Sequence, residues 1–271
     1  MQVYRGMDVG TAKPSAAVRR EVPHRMVDIV EPEEGYSVAE FQRDARVAVA
    51  EAMRVGRPVV IVGGSGLHFR AVVDPLEFPP TDAALRAELE SVAPGDLVAE
   101  LVGADPEAGR HVDLANRRRV QRAVEVLRLT SRTPSARAET PAARAVHRYE
   151  PSLPFLAIGL DPGSGLERRV ERRFDRMLDR GLLGEVVDLE PRLGPTARQA
   201  VGYKELLAHV RGDTELEAAR RDAIRATLGL AKRQRTFFGR DGRIRWLSWQ
   251  DDPAGRIEAV VASARELQWI S

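Results

Sequence analysis

Residues 57–74 read RPVVIVGGSGLHFRAVVD, and the fold class turns on them. Val59 to Val62 form a β-branched apolar run, then come Gly63 to Gly66, then a stretch with helical spacing. A wholly apolar strand feeding a helix is the pattern of a buried parallel sheet. The glycines carry two meanings that stay open at this point. They let backbone amides approach an anion at a helix start, or they serve the turn geometry alone. The turn is not a Walker A loop, because no GxxxxGK[ST] occurs in the chain.

The flanking text extends the α/β reading. HRMVDIVEP (24–32) is expected to be a short strand. SVAEFQRDARVAVAEAMRVG (37–56) is an amphipathic helix with a Ser37–Glu40 capping box and Gly56 beyond its end. PLEFPPTD (75–82) marks a boundary. From 79 to 143 the text is short helices and turns, of which NRRRVQRAVEVLRLTS (116–131) is the clearest. SRTPSARAETPAARA (131–145) reads as a polar link with little to pack. PFLAIGLD (154–161) restores a strand. Helices are expected at 165–179, through GLLGEVVDLE (181–190) and KELLAHVRG (204–212), and along RDAIRATLGLAKRQRTFFGRD (221–241). IRWLSW (244–249) is a last strand. The expected organisation is a core in two parts, 1–78 and 144–271, interrupted by a helical insertion at 79–143.

Composition narrows the chemistry. The 271 residues are 43% apolar and 30% charged, a globular balance. There is no cysteine, so thiolate metal sites and cysteine nucleophiles are excluded. No apolar run approaches the ~20 residues of a membrane span, and no secretory leader precedes the charged opening. A cytoplasmic protein is expected. The histidines are scattered without metal-ligand spacing. Of 42 basic residues only Lys13, Lys204 and Lys232 are lysine. Arg117, Arg118, Arg119, Arg122 and Arg128 share one helix, where like charges repel. Phosphate contact explains such a cluster, and so does a solvated face balanced by Glu125. AKRQRTFF (231–238) joins basic and aromatic residues as nucleic-acid sites do, although Phe237 and Phe238 equally suit a core.

Read together, MQVYRGMDVGTAKP (1–14), PHRMVDI, YSVAEF, VGGSGL, FPPTD, RRVQRAVEV, RFDRM, QAVGYKE (199–205) and AKRQRTFF resemble the tRNA dimethylallyltransferase family, in family order across residues 1 to about 247. The resemblance implies a P-loop-NTPase-like parallel sheet core with a small helical insertion. It implies transfer of a dimethylallyl group from dimethylallyl diphosphate to the N6 amine of the adenosine 3′ to the anticodon, in tRNAs reading U-initial codons. Thr11, Lys13, Ser65 and Arg173 are implied to line the reaction channel. Arg173, Lys232 and Arg233 fall on the diphosphate side. Met1, Gln2, Ser65, Arg86, Arg118, Arg119, Val120, Gln121 and Arg122 fall on tRNA-contacting segments, as do Gln199, Gly202, Tyr203 and Lys204. The partners implied are the anticodon stem-loop and dimethylallyl diphosphate, for a monomer that uses magnesium.

In the family a G-P-T-x-[SA]-G-K-[ST] loop and an Asp-Ser precede the MQVY stretch. The resemblance therefore implies an N-terminally truncated member, without the phosphate loop, the general-base aspartate or the magnesium ligands, and inactive as given. Leu228, Phe237 and Gly239 depart from the family's basic and aromatic pattern, and His68 stands where tyrosine is common. Two alternatives are a non-catalytic tRNA-binding remnant and an adenylate isopentenyltransferase. The arginine-rich insertion helix argues against the second.

Overall fold

The computed structural model describes residues 1–267. Along them run α1 (Ala16–Glu21), α2 (Val38–Arg54), α3 (Gly66–Val73), α4 (Ala83–Ser91), α5 (Pro94–Ala104), α6 (Arg117–Thr130), α7 (Pro134–Ala138) and α8 (Pro141–His147). Then follow β1 (Ala157–Asp161), α9 (Leu166–Asp179), α10 (Leu182–Leu189), α11 (Tyr203–Val210), α12 (Leu216–Phe238), β2 (Ile244–Ser248) and α13 (Pro253–Glu266). The chain is α/β, mostly helical, with a small parallel sheet. It divides into one unit of residues 1–72 and 155–271 and a second of residues 73–154. The second is wider at both ends than the 79–143 read from composition.

In the first unit β1 and β2 pair in parallel, Ala157 opposite Ile244 through Asp161 opposite Ser248. Parallel pairing demands a long crossover, and α9 to α12 supply it. A side chain at Gly159 would meet the Trp246 ring at 2.7 Å, so this strand needs glycine there. The core gathers Val170 and Phe174 of α9, Leu182 and Val186 of α10, Tyr203, Leu206 and Leu207 of α11 and Ala223 of α12 around Tyr4 and Met7. Burying each large side chain contributes about 1.5–3 kcal/mol. At the start of α2, Ser37 Oγ accepts from the Glu40 amide at 3.2 Å and Glu40 returns the contact at 2.7 Å, the capping box expected.

The second unit is helical, with a core of Leu89, Leu97, Leu101, Val120 and Val124. Asn116 caps α6, and Ser131 ends it in the left-handed conformation.

Three expectations are corrected. Residues 59–62 form no strand: Val60 is 84% and Val62 91% exposed. A strand needs a neighbour for its backbone groups, and the described sheet has only β1 and β2. Residues 24–32 make a single parallel bridge, Val30 to Tyr4, because Met26 and Asp28 adopt positive φ and interrupt extension. The 131–145 link is ordered into α7 and α8. Thr133 and Thr140 cap them through the amides of Ala136 and Ala143, each with proline at the first helical position.

Candidate functional site

The N-terminal stretch is held by its own polar groups. Lys13, with a side chain only 3% exposed, donates to Tyr4 O at 2.5 Å, Asp8 Oδ1 at 2.7 Å and Asp28 Oδ1 at 2.5 Å. Its three donors are thereby engaged. Lys13 fixes the loop, and no donor is left for a reacting group. Burial pushes the Asp28 carboxyl up, but hydrogen bonds from Lys13 and Arg19, with their charges, outweigh it and hold the group below its ordinary value. Gln2 Nε2 donates to the carbonyls of Thr11 and Ala12 at 3.0 and 3.1 Å. Thr11 Oγ1 donates to Met7 O at 2.5 Å, and Met1 is 46% exposed.

A residue that no motif announced completes this loop. Glu185, on α10, accepts from the consecutive amides of Asp8, Val9 and Gly10 at 2.8, 2.7 and 3.0 Å. Its partners lie 175–177 residues away along the chain, so no local signal could have found it. Tyr203 of the QAVGYKE segment donates to the same carboxylate. Burial first, and Glu185 second, raise the Tyr203 hydroxyl well above its ordinary value, which keeps it a donor. Gly202 and Tyr203 are buried, so contact with tRNA through the Tyr203 side chain is corrected to a supporting role. Gln199 and Lys204 are exposed on either side.

The GGSG turn packs against α12. A Cβ at Gly64 would meet Gln234 at 2.3 Å, and one at Gly66 would meet the Phe237 ring at 2.1 Å. Close approach of a helix thus accounts for both glycines. Ser65 is exposed in this turn, and its hydroxyl lies within hydrogen-bond distance of His68 Nδ1, at 2.7 Å. His68 lies edge-on to Phe41, ring centroids 4.6 Å apart, and burial pushes its imidazole below the ordinary value. Arg173 on α9 and Lys232 and Arg233 on α12 are exposed and make no side-chain hydrogen bond or ion pair with any described residue. Phe238 is half-buried and packs with Phe69 at 5.8 Å, while Phe237 is 40% exposed.

In the helical unit, most arginines of α6 have internal work. Glu125, 1% exposed, pairs with Arg122 at 2.7 Å and with Arg86 at 3.2 Å. Arg122 also donates to the carbonyls of Pro79 and Pro80. Arg117 caps the carbonyls of Glu90 and Val92, and Arg128 joins Glu88 to Glu100. Gln121 donates to Arg86 O. Val120 is 1% exposed in the core, which corrects its placement on a tRNA-facing surface. Arg118 and Arg119 are exposed, Arg119 reaching Asp113 only at 3.6 Å. Three of the five arginines of the expected basic face are therefore structural.

Among the described residues, no three His, Asp or Glu side chains converge on a point that could hold a metal. No described helix is long and apolar enough to cross a membrane.

A family model described as IPP transferase matches residues 2–241. The tRNA dimethylallyltransferase of Kocuria rhizophila is 44% identical over 275 residues, covering 98% of this chain and 84% of the relative. That of Bifidobacterium animalis subsp. lactis is 40% identical over 252 residues, 91% of this chain and 71% of the relative. Among solved structures, the tRNA isopentenylpyrophosphate transferase of Staphylococcus epidermidis superposes with a TM-score of 0.69 at 28% identity, over 99% of this chain and 88% of the other. With the match running through the loop that Glu185 clamps, the GGSG turn and α12 alike, the chain belongs to the IPP transferase family.

Proposed function

We propose that this chain works on tRNA as a dimethylallyltransferase, presenting the adenosine 3′ to the anticodon for prenylation at N6. The observation that carries the reading is the unbroken family match from residue 2 to residue 241, across both units. In the reaction, the N6 nitrogen forms a bond to C1 of dimethylallyl diphosphate. The C1–O bond breaks, pyrophosphate leaves with the electron pair, and the amine loses a proton. Ser65, backed by the His68 nitrogen at 2.7 Å, is a polar contact for that amine. Arg173, Lys232 and Arg233 supply unpaired positive charge for the diphosphate side. Arg118, Arg119, Gln199 and Lys204 offer exposed polar groups to the RNA. A flipped adenine reaching a channel is the usual way such chemistry is made accessible.

The reading assigns these residues contact with tRNA, as a cytoplasmic monomer with a P-loop-like core. Filter binding with an anticodon stem-loop, and radiolabelled prenyl transfer with magnesium, test it. The chain is expected to bind the stem-loop, more weakly as salt rises, and Ser65→Ala is expected to lower transfer. A chain that binds no stem-loop in low salt overturns the reading.

A further inference from the structure

Ser65 stands immediately before α3, and among the described residues its hydroxyl has one side-chain partner, His68 Nδ1 at 2.7 Å. A serine in that position ordinarily turns its oxygen to the amide of the third helical residue. Here the third residue is His68, and the hydroxyl meets its ring. Phe41 of α2 lies edge-on to that ring, centroids 4.6 Å apart and planes at 73°. The imidazole is half-buried while Ser65 is exposed. α12 covers the same turn with neutral groups: a Cβ on Gly64 would meet the Gln234 amide, and one on Gly66 the Phe237 ring.

The state of the ring decides what Ser65 can do. A neutral imidazole has one donor nitrogen and one acceptor nitrogen. With Nδ1 accepting, the Ser65 proton is committed to the ring and the oxygen lone pairs are left for a ligand. With Nδ1 protonated, the ring donates to that oxygen and the hydroxyl proton turns outward. The exocyclic amine of an adenine carries N–H donors and needs an acceptor. The surroundings favour the neutral ring. The carboxylates of α2 beside Phe41 are engaged elsewhere, Glu40 with the Ser37 amide and Asp44 with Tyr36 and Arg43. Arg70 of α3 acts on Asp241. Burial, and after it the charge of the Met1 ammonium, disfavour an imidazolium at His68.

We propose that His68 is a positioning residue of this site: its Nδ1 accepts the Ser65 hydroxyl and so makes the serine a hydrogen-bond acceptor for the exocyclic amine of the target adenine. The inference deepens, and rests on, the reading that the chain prenylates that amine. Ser65 receives an N–H of the amine and removes no proton from it. His68 touches no substrate atom and acts through Ser65 alone.

The test uses the full chain in two measurements. The first is the nitrogen NMR spectrum of its imidazoles, with the His68 signals identified by their loss in His68→Asn. At about pH 8, His68 Nδ1 should resonate as an unprotonated ring nitrogen. The spectrum is read on the parent chain, so it decides even where a variant folds poorly. The second is prenyl transfer to an anticodon stem-loop RNA, with dimethylallyl diphosphate and magnesium, followed from about pH 5 to about pH 8. His68→Phe, which fills the space without an acceptor, should lower kcat about tenfold with little change in the KM for the stem-loop. His68→Asn, which keeps an acceptor oxygen, should recover most of that loss. Parent transfer should fall as pH drops below the ordinary imidazole value of about 6.5, and His68→Asn should flatten that fall. In a Ser65→Ala background, His68→Phe should lower transfer no further. A proton on Nδ1 at about pH 8, no recovery in His68→Asn, or a full loss from His68→Phe in the Ser65→Ala background overturns the role of His68; transfer by the parent then leaves the underlying reading standing. A parent that transfers no prenyl group overturns that reading, and the positioning role with it.

Discussion

Tyr203 donates its hydroxyl to Glu185 at 2.5 Å, and the same carboxylate collects the amides of Asp8, Val9 and Gly10. One side chain thereby ties the MDVGTAK loop to the QAVGYKE segment. Three successive amides aimed at one point form the kind of concavity that proteins use to bind anions, and here an internal carboxylate fills it. Glu185→Ala removes their acceptor, at a cost of about 1–3 kcal/mol. Hydrogen exchange should accelerate at residues 8–10 while α12 keeps its protection. Glu185→Gln, which retains one acceptor oxygen, should give an intermediate rate. Unchanged exchange at Asp8–Gly10 in the alanine variant would show that other groups hold the loop.

Gly10 is the steric counterpart of that tie. A Cβ there would come within 2.4 Å of the Tyr203 ring and 2.8 Å of Leu182. Both neighbours are buried and cannot swing aside. Gly10→Ala should lower stability by about 1–3 kcal/mol through overpacking, read from urea midpoints. The pair Gly10→Ala with Tyr203→Leu should recover part of the loss, and a loss unaltered by the second substitution would place the strain elsewhere.

These contacts also show what could and could not be read from the amino acids. Helices with a cap and a continuous apolar stripe were legible. Ser37 with Glu40 marks the start of α2, and Val170 and Phe174 mark the buried face of α9. The link at 131–145 was misread because its composition is polar, yet each Thr-Pro is a helix-start signal. Val59–Val62 were misread for the opposite reason. Composition gives a strand its propensity, but pairing is a property of the neighbours, and among the described residues β1 pairs only with β2. In the site, motif order pointed to Ser65 and the arginines of α6. It could not separate Arg118, which is exposed, from Arg122, whose partners Pro79 and Pro80 lie 43 and 42 residues away. Glu185 was invisible for the same reason: its role depends on what the fold brings near it.

The exposed run at 59–62 predicts a handling property. An accessible β-branched segment without charge is a template for association between chains. Val60→Lys combined with Val62→Lys places charge on the two most exposed positions. Because neither side chain is packed, stability should change by no more than about 0.5 kcal/mol. Concentration-dependent light scattering should fall. Equal scattering with unchanged stability would clear this segment of any part in association.

Acid should loosen the N-terminal loop through Asp28. Its carboxyl receives Lys13 and Arg19, each at 2.5 Å, and these contacts outweigh burial to hold it below its ordinary value. The folded chain therefore binds this proton less readily than the unfolded chain does. The linked stability is present above the ordinary aspartate value of about 3.9 and is lost as pH falls through the depressed folded value. Asp28→Asn removes the charge without changing the shape. At pH 7 the variant should be less stable than the parent by about 1.5–3 kcal/mol, the worth of hydrogen bonds to a charged group. The gap should narrow below about pH 4 as the parent's carboxylate is protonated. Other carboxylates titrate over the same range, but they do so in both chains and cancel from the difference. Urea midpoints for the two chains across a pH series give that difference directly. A gap that stays constant down to the acid limit would mean that Lys13 and Arg19 recognise the shape of residue 28 and not its charge.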